Sequence, residues 1–318
     1  MKKASVFTME NKKLHILVNN PEYFDEEAMK ILNSIGNVTA KNMANKELLK
    51  KINLFDILVI RVDTKLTKEI LDKATNLKLI GSATTGLNHI DINYAKKKKI
   101  KILNLHGTHT LPTAQHTIAL MLSLSRNIPW AFESLKNGKW ERYRFIGTQL
   151  NEKTLGIIGL GRIGSQVAKY AKAFGMNVIA YDPFIKKNKS VSLVSLNTLL
   201  KTSDIISLHP MLTESSRNML QLKQLKLMKR TAFLINTSRG EVINSKDLLV
   251  ALKKHVISGA ALDVFPEEPF LKKGNRFVSY AQKNKNLIIT PHIGASTKEA
   301  VHMAGLEIAM KIKKELKL

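Results

Sequence analysis

Apolar segments of five to eight residues alternate with amphipathic stretches along this chain of 318 residues, in two successive series. Strands that alternate with helices form βαβ units, whose sheets are parallel and carry helices on both faces. The chain also exceeds the length at which a single core usually stops growing. We therefore predict an α/β protein with two doubly wound parallel-sheet domains. The predicted strands are 14–18, 57–61, 77–83 and 100–105 in the first series, and 154–160, 177–182, 204–209, 231–237, 257–264 and 286–290 in the second.

The charge balance is strongly positive, with 51 Lys and Arg residues against 25 Asp and Glu and a formal net charge of +26. Such an excess would suit a nucleic-acid partner. The lysines, however, are spread through predicted helices and turns such as YAKKKKIK, with few aromatic residues among them. We therefore expect a solvated basic surface that attracts small anions, and no nucleic-acid role.

Cysteine is absent, which excludes disulfides and thiolate chemistry, and no metal site is predicted. The apolar runs are too short for a membrane span, and the start of the chain lacks a signal-peptide core, so we expect no membrane partner and a cytoplasmic location. Any chemistry must use oxygen or nitrogen groups, or a borrowed cofactor.

A glycine pattern lies between a predicted strand and a predicted helix in TLGIIGLGRIGSQVAKYAKAFG, with Gly159, Gly161 and Gly164. The next strand ends at Asp182, 18 residues after Gly164. This is the pattern of a Rossmann dinucleotide site. Gly159 permits the tight turn, Gly161 lets the backbone approach the pyrophosphate, and Gly164 lets the helix lie close to the sheet. Asp182 would bind the ribose hydroxyls and repel a 2′-phosphate, which favours NAD over NADP.

Polar residues follow three successive strands of the second series. Arg239 follows the fourth strand, three carboxylates (Asp263, Glu267 and Glu268) follow the fifth, and His292 follows the sixth. Ligands of an open α/β sheet bind beyond the carboxyl ends of its strands, so these groups should meet there. An arginine fork can hold a carboxylate, and a histidine oriented by a glutamate can exchange a proton near neutral pH. The set predicts hydride transfer between NAD and a 2-hydroxy or 2-oxo acid.

Four ordered segments, GLGRIG, INTSRGEVIN, GAALDVFPEEP and TPHIGAST, resemble those of the D-isomer-specific 2-hydroxyacid dehydrogenases. The resemblance extends over essentially the whole chain and includes TTGLNHID at 84–91. It implies a discontinuous, flavodoxin-like substrate domain over 1–106 and 292–318, with an inserted Rossmann NAD domain over 107–291. It also implies a homodimer that forms through the NAD domains.

The resemblance assigns individual residues as well. It makes Arg239, Glu268 and His292 the catalytic set and leaves Glu267 as a solvent-facing neighbour. Together with Arg239, backbone N–H groups of the loop at Thr85 and Gly86 would hold the substrate. Besides the three glycines and Asp182, cofactor contacts are expected at Arg162, Ile163, His209, Thr213, Thr237, Ser238 and Asp263.

The substrate stays open at this point. The segments are most like those of short-type D-3-phosphoglycerate dehydrogenases, but glyoxylate, hydroxypyruvate and D-lactate enzymes share every motif, and NAD-sensing corepressors of the family keep the fold and the catalytic set. Two residues depart from the family pattern, Pro210 directly after His209 and Gln115 where a glutamate is usual. The remaining histidines are interpreted as non-catalytic, with structural roles for His89, His116 and His255.

Overall fold

The chain forms two compact units in the computed structural model, which describes residues 13–266, 268 and 274–318. Unit 1 consists of Met1–His109 and Ser296–Leu318, and unit 2 of Thr110–Ala295. Each unit contains one parallel sheet, which confirms the predicted fold class.

Unit 1 is built on a five-stranded sheet in the order β2-β1-β3-β4-β5, the flavodoxin-like order. Four of its strands follow the predicted apolar segments, while β2 was not predicted from the sequence. Its residues, GNVTA, are all at least partly exposed at the edge of the sheet, so they lack the apolar pattern that marks a strand. The strands are β1 (Leu14–Val18), β2 (Gly36–Ala40), β3 (Ile57–Ile60), β4 (Leu79–Ser82) and β5 (Lys101–Asn104).

The C-terminal helix packs against this sheet although it is far away in sequence. Ile308 and Ile312 are fully buried there, and a Cβ added to Gly81 of β4 would lie 2.7 Å from Ile312 Cδ1. The discontinuous composition of unit 1 therefore follows from apolar burial. Its helices are α1 (Glu26–Ile35), α2 (Asn45–Lys51), α3 (Lys68–Lys73), α4 (Ile92–Lys97) and α12 (Lys298–Glu315), with 3-10 turns at Pro21–Tyr23 and Ile52–Leu54.

Unit 2 is built on a seven-stranded sheet in the order β12-β11-β10-β9-β6-β7-β8, a Rossmann order extended by one strand. Six strands follow the predicted segments, and only the two-residue edge strand β8 was not predicted. The strands are β6 (Thr154–Ile158), β7 (Asn177–Tyr181), β8 (Ser192–Leu193), β9 (Ile205–Leu208), β10 (Phe233–Asn236), β11 (Gly259–Leu262) and β12 (Leu287–Ile289).

Helices cover both faces of this sheet, and the longest, α5, opens the unit. It ends at Ser125, and Asn127 adopts a left-handed conformation (φ 57°) before Pro129 occupies the first turn of α6. The helices of unit 2 are α5 (Thr110–Ser125), α6 (Ile128–Lys136), α7 (Arg162–Ala173), α8 (Leu196–Thr202), α9 (Leu222–Leu225), α10 (Ser245–Lys253) and α11 (Arg276–Ala281), with 3-10 turns at Arg142–Phe145 and Gly240–Val242.

The unit boundaries differ by a few residues from the predicted ones, 106/107 and 291/292. The chain crosses between units after His109 and after Ala295, which assigns His292 to unit 2. The reason is local bonding, because the N–H groups of His292, Ile293 and Gly294 all bind Asp263 at the end of β11. None of the described helices has both the length and the apolar character that a membrane crossing requires.

Packing of α12 on unit 1 gives a stability prediction. Ile312→Ala removes a fully buried side chain, and we expect it to lower the free energy of unfolding of unit 1 by about 2–5 kcal/mol. Met310→Ala removes a 48% exposed side chain from the same helix and should change the free energy of unfolding by less than about 0.5 kcal/mol. Urea unfolding measures both, and equal effects would contradict the packing.

Candidate active site and cofactor site

The order of the seven-stranded sheet reverses between β6 and β9, and ligands of such sheets bind at this switch point. Gly159 follows β6 and His209 follows β9, so the predicted cofactor turn lies at the switch. Asp182 follows β7, the next strand, and Arg162 and Ile163 begin α7. The structure thus brings these predicted cofactor residues to one edge of unit 2.

The three glycines have the environments that their predicted roles require. Gly159 has φ +90°, and an added Cβ would lie 2.6 Å from the carbonyl carbon of His209. An added Cβ on Gly164 would lie 2.1 Å from the Gly159 oxygen, so only glycine allows α7 to approach the turn this closely. At Gly161 an added Cβ meets no described atom within 4 Å. The space in front of Gly161 is therefore open to a pyrophosphate at the start of α7.

Asp182 is fixed by two backbone groups. Its Oδ2 accepts from the N–H of Leu160 at 2.8 Å, and its Oδ1 accepts from the N–H of Phe184 at 2.9 Å. An ionised carboxylate can accept about four hydrogen bonds, so acceptor capacity remains for ribose hydroxyls. The same side chain therefore holds the glycine turn and presents acceptors to a nucleotide.

His209, whose backbone lies against Gly159 of this turn, has a neutral imidazole. Burial lowers the pKa of His209 to about 3. Its Nε2 lies 2.8 Å from Ser207 Oγ, while Nδ1 is buried without a hydrogen-bond partner in the described part of the chain. A polar atom in this condition fits a place where a bound group completes the hydrogen bonding.

The other predicted cofactor residues make internal contacts. Thr213 forms a hydroxyl cluster with Ser216 in the loop after β9. Thr237 is buried, and its Oγ1 lies 2.8 Å from Thr117 Oγ1 of α5. Ser238 is also buried and donates from Oγ to Asn236 Oδ1 at 2.8 Å. Their contribution to cofactor binding therefore stays a prediction.

The histidine and glutamate of the predicted catalytic set are in direct contact. His292 Nδ1 lies 2.5 Å from Glu268 Oε2, and Glu268 Oε1 accepts from the N–H of Phe265 in its own turn. The His292 side chain is 38% exposed, compared with 25% for Glu268. Because Nδ1 is bound to the glutamate, Nε2 is the ring atom available for proton exchange.

Burial and charge oppose each other at His292. Burial lowers the pKa of His292, but the hydrogen bond that it donates to Glu268 and the charges of Glu268 and Asp263 raise it more, so the net shift is upward. The protonated imidazole therefore persists to higher pH than for a free histidine, which suits a proton donor.

Arg239 is held beside this pair by close backbone packing. An added Cβ on Gly240 would lie 2.0 Å from the carbonyl carbon of Phe265, so the arginine loop and the glutamate turn touch. Asn236 braces the loop by donating to the Arg239 oxygen at 3.0 Å. Burial lowers the pKa of Arg239, whereas the charge of Glu268 raises it. The guanidinium is thus a desolvated cation near an acid–base pair.

Asp263 lies at the end of β11 and is 1% exposed. Burial raises the pKa of Asp263, but hydrogen bonds from His116, Thr290 and the Ile293 N–H lower it more, and the net shift is downward. Its carboxylate binds the loop that carries His292. The predicted contact with the nicotinamide stays a prediction, since the oxygens already accept several internal hydrogen bonds.

In unit 1 the predicted substrate loop follows β4. Thr84 Oγ1 donates to the Gly86 oxygen at 2.7 Å, and Asn104 donates to the Thr85 oxygen at 2.9 Å. The N–H groups of Thr85 and Gly86 have no acceptor within the described ranges. The loop is fixed by its carbonyl and hydroxyl groups, so the N–H groups of Thr85 and Gly86 remain as donors for an anion.

One polar residue of unit 1 was missed from the sequence. Arg61 directly follows β3, and β1 and β3 flank the switch point of the five-stranded sheet. Its guanidinium lies 4.2 Å from the Tyr23 ring, and its Nη1 is buried without a partner in the part of the chain described. The segment ILVIR was interpreted as strand to its last residue, although the position at a strand end was the available signal.

Glu267 lies outside the described residues, so its predicted solvent-facing position is not tested. Among the residues that the structure describes, no group of three or more His, Asp or Glu side chains could hold a metal ion.

Unit 2 has the architecture and glycine turn of a dinucleotide-binding protein, with an acid–base pair and an arginine at the same edge of its sheet. Residues 118–294 match the family model described as D-isomer specific 2-hydroxyacid dehydrogenase, NAD binding domain. A D-3-phosphoglycerate dehydrogenase of Methanocaldococcus jannaschii is 46% identical over 308 residues, 95% of this chain and 57% of the relative. A hydroxypyruvate reductase of Thermotoga maritima is 43% identical over 306 residues, 94% of this chain and 97% of the relative.

A solved structure supports the same relationship. The D-lactate dehydrogenase from Aquifex aeolicus, complexed with NAD and lactic acid, superimposes with a TM-score of 0.85 at 31% identity over 95% of each chain. The chain therefore belongs to the D-isomer-specific 2-hydroxyacid dehydrogenase family, which confirms the resemblance and the NAD-binding domain. It spans only 57% and 56% of the length of two of the D-3-phosphoglycerate dehydrogenases that it matches.

The open space at Gly161 gives a prediction for the cofactor. We expect Gly161→Ala to weaken NADH binding at least about tenfold, because the new methyl group occupies the pyrophosphate position. Its backbone (φ −71°) suits alanine, so the free energy of unfolding should change by less than about 1 kcal/mol. Fluorescence titration and urea unfolding measure these two quantities. Gly164→Ala is the contrasting variant. It should lower the free energy of unfolding in addition to weakening NADH binding, because its new methyl group would clash with the Gly159 oxygen.

The contact between Glu268 and His292 gives a prediction for the pH profile. With His292 as the predicted proton donor for reduction, kcat/KM for reduction should fall as pH rises through the pKa of His292. Glu268→Gln removes the charge that raises this pKa, and the fall should move to lower pH. Glu267→Gln is the matched control and should leave the midpoint unchanged. An equal shift in both variants would contradict the assignment.

Proposed function

We propose that this protein is an NAD-dependent oxidoreductase that transfers a hydride between the nicotinamide and a D-2-hydroxy or 2-oxo acid. The observation that carries the proposal is the 2.5 Å contact between His292 Nδ1 and Glu268 Oε2, with Arg239 in the adjoining loop. This set supplies a proton donor, the group that raises the pKa of the donor, and a cation for a carboxylate. All three residues lie in the unit that contains the NAD-binding domain.

Each side chain has a distinct role in this proposal. Arg239 binds the substrate carboxylate and polarises the neighbouring carbonyl through its guanidinium. During reduction His292 gives a proton from Nε2 to the carbonyl oxygen, and during oxidation it takes the hydroxyl proton. Glu268 stabilises the imidazolium from the opposite ring nitrogen. Bound NAD supplies the hydride acceptor in oxidation, and NADH the hydride donor in reduction.

Unit 1 supplies anion-binding groups in the proposal. The loop at Thr85 and Gly86 offers N–H donors, and Arg61 lies at the switch point between β1 and β3, where ligands of such sheets bind. Burial lowers the pKa of Arg61, so an anion that reaches it would stabilise the charged form. A phosphate group would satisfy this cation. We therefore favour a phosphorylated substrate such as 3-phosphoglycerate over hydroxypyruvate, glyoxylate or D-lactate.

A substrate panel tests the proposed activity. NADH absorbance is followed with 3-phosphohydroxypyruvate, hydroxypyruvate, glyoxylate and pyruvate, and we expect the highest kcat/KM with the phosphorylated acid. A higher value for hydroxypyruvate would favour the activity named for the Thermotoga relative. NADH binding without turnover of any 2-oxo acid would reject the enzyme and favour an NAD-sensing scaffold.

Arg61 gives a sharper prediction about the substrate. Arg61→Met keeps the apolar stem of the side chain and removes its charge, so KM for 3-phosphohydroxypyruvate should rise about tenfold or more. KM for hydroxypyruvate should change less than about twofold, because that acid lacks the phosphate. Lys73→Met removes an exposed charge from the same unit and is the control. An equal rise for both acids in the Arg61 variant would show that Arg61 does not select the phosphate.

We also propose a homodimer that forms through unit 2. Six large apolar side chains in the segment from the start of α6 to the residue after the following 3-10 turn are at least half exposed, which is typical of an interface. The six residues are Ile128, Phe132, Leu135, Trp140, Tyr143 and Ile146. Sedimentation equilibrium should give twice the 35.7 kDa mass of one chain.

We also propose that the protein is located in the cytoplasm, where NAD is available to such an enzyme.

A further inference from the structure

The catalytic histidine has an unusual backbone conformation. His292 has φ +53°, in the left-handed region that residues with a Cβ seldom occupy. Such a conformation is strained and persists only when the surrounding structure imposes it. The position of the His292 ring depends on this backbone, so the groups that impose it are part of the catalytic arrangement.

Hydrogen bonds to Asp263, with one more to the Thr290 backbone oxygen at 3.0 Å, hold the conformation. The His292 N–H donates to the backbone oxygen of Asp263 at 2.9 Å. The N–H groups of Ile293 and Gly294 donate to Oδ1 and Oδ2 of the same residue, at 2.9 and 2.8 Å. Three consecutive N–H groups thus bind Asp263, and the last two of them bind its carboxylate. The 293–294 part of the turn, directly after His292, is therefore fixed only as well as the Asp263 carboxylate is fixed.

Side chains from two other elements hold this carboxylate. Thr290, at the end of β12, donates to Oδ1 at 2.5 Å. His116, in the second turn of α5, places Nε2 at 3.3 Å from the same oxygen and at 3.3 Å from Thr290 Oγ1. The His116 side chain is 17% exposed and the Asp263 side chain 1% exposed. His116 is therefore a donor to this buried carboxylate from outside the strand-end loops.

We propose that His116 is a positioning residue for the proposed hydride transfer. Its Nε2–H donates to Asp263, which fixes the carboxylate and thereby the 292–294 turn that presents His292 to Glu268. The role needs only a neutral ring with its proton on Nε2. The sequence alone had indicated a structural histidine, and the contact with Asp263 connects His116 to the chemistry. This inference rests on the proposed function for its kinetic consequence but not for its structural one.

Two substitutions separate donation from packing. His116→Leu keeps much of the volume and removes the donor, whereas His116→Gln restores an N–H donor near the position of Nε2. Gln115→Leu changes the exposed neighbour on α5 and is the control. The readouts are kcat and KM for reduction of the best 2-oxo acid, the NADH dissociation constant, and hydrogen–deuterium exchange of the peptide that contains Ile293 and Gly294.

We expect His116→Leu to lower kcat about tenfold, because a misplaced proton donor loses part of the 10²–10⁴-fold that general acid catalysis contributes. The NADH dissociation constant should change less than about twofold. Exchange at the 293–294 peptide should accelerate. His116→Gln should recover both kcat and protection to within about threefold of the parent protein, and Gln115→Leu should match the parent.

The exchange measurement keeps the inference testable if the parent protein reduces none of the acids. Unchanged exchange in His116→Leu would overturn the inference. So would equal losses in the Leu and Gln variants, which would show that the ring packs without donating. A fall in kcat that is explained wholly by weaker NADH binding would also overturn it. Absence of turnover in the parent, with faster exchange in His116→Leu, would reject the proposed function alone.

Discussion

Parallel pairing is the constraint on which the rest of this structure depends. Because every strand of a unit runs in the same direction, all of its strands end at the same edge of the sheet. Residues that are far apart in sequence then meet without any long loop. Arg239, Glu268 and His292 follow three adjacent strands, β10, β11 and β12, and the glycine turn follows β6 at the switch point. The site is a consequence of the topology, and the loops need only set distances within it.

Much of this could be predicted from the sequence because the signals are local. A buried strand is a short apolar run, and a cofactor turn is a glycine pattern beside it. Both can be recognised in the sequence without knowing which other residues they contact. Ten of the twelve strands in the described residues follow segments predicted in this way. The two that were missed, β2 and β8, are edge strands whose exposed residues have no apolar pattern. Their place in a sheet is decided by the neighbouring strand and not by their own composition.

The supporting residues of the site could not be predicted for a related reason. Gly240 matters because its missing side chain lets two loops touch, and Asn236 matters because its amide binds the Arg239 oxygen. His116 lies in a helix whose pattern is that of ordinary packing, and its role depends on an aspartate nearly 150 residues away in sequence. Such roles belong to pairs of residues, whereas sequence patterns describe residues one at a time. Arg61 is different, since its position after a strand was a visible signal that was not used.

The left-handed backbone at His292 has a consequence for how this position can change. Glycine or asparagine would occupy φ +53° with less strain, so substitutions that abolish the proposed proton transfer would at the same time relax the fold. Selection for stability alone would therefore drive this position away from histidine. A screen of variants that scored only expression or melting temperature would enrich inactive proteins at the centre of the site. Under the proposed function, chemistry would hold histidine at this position against the preference of its own backbone.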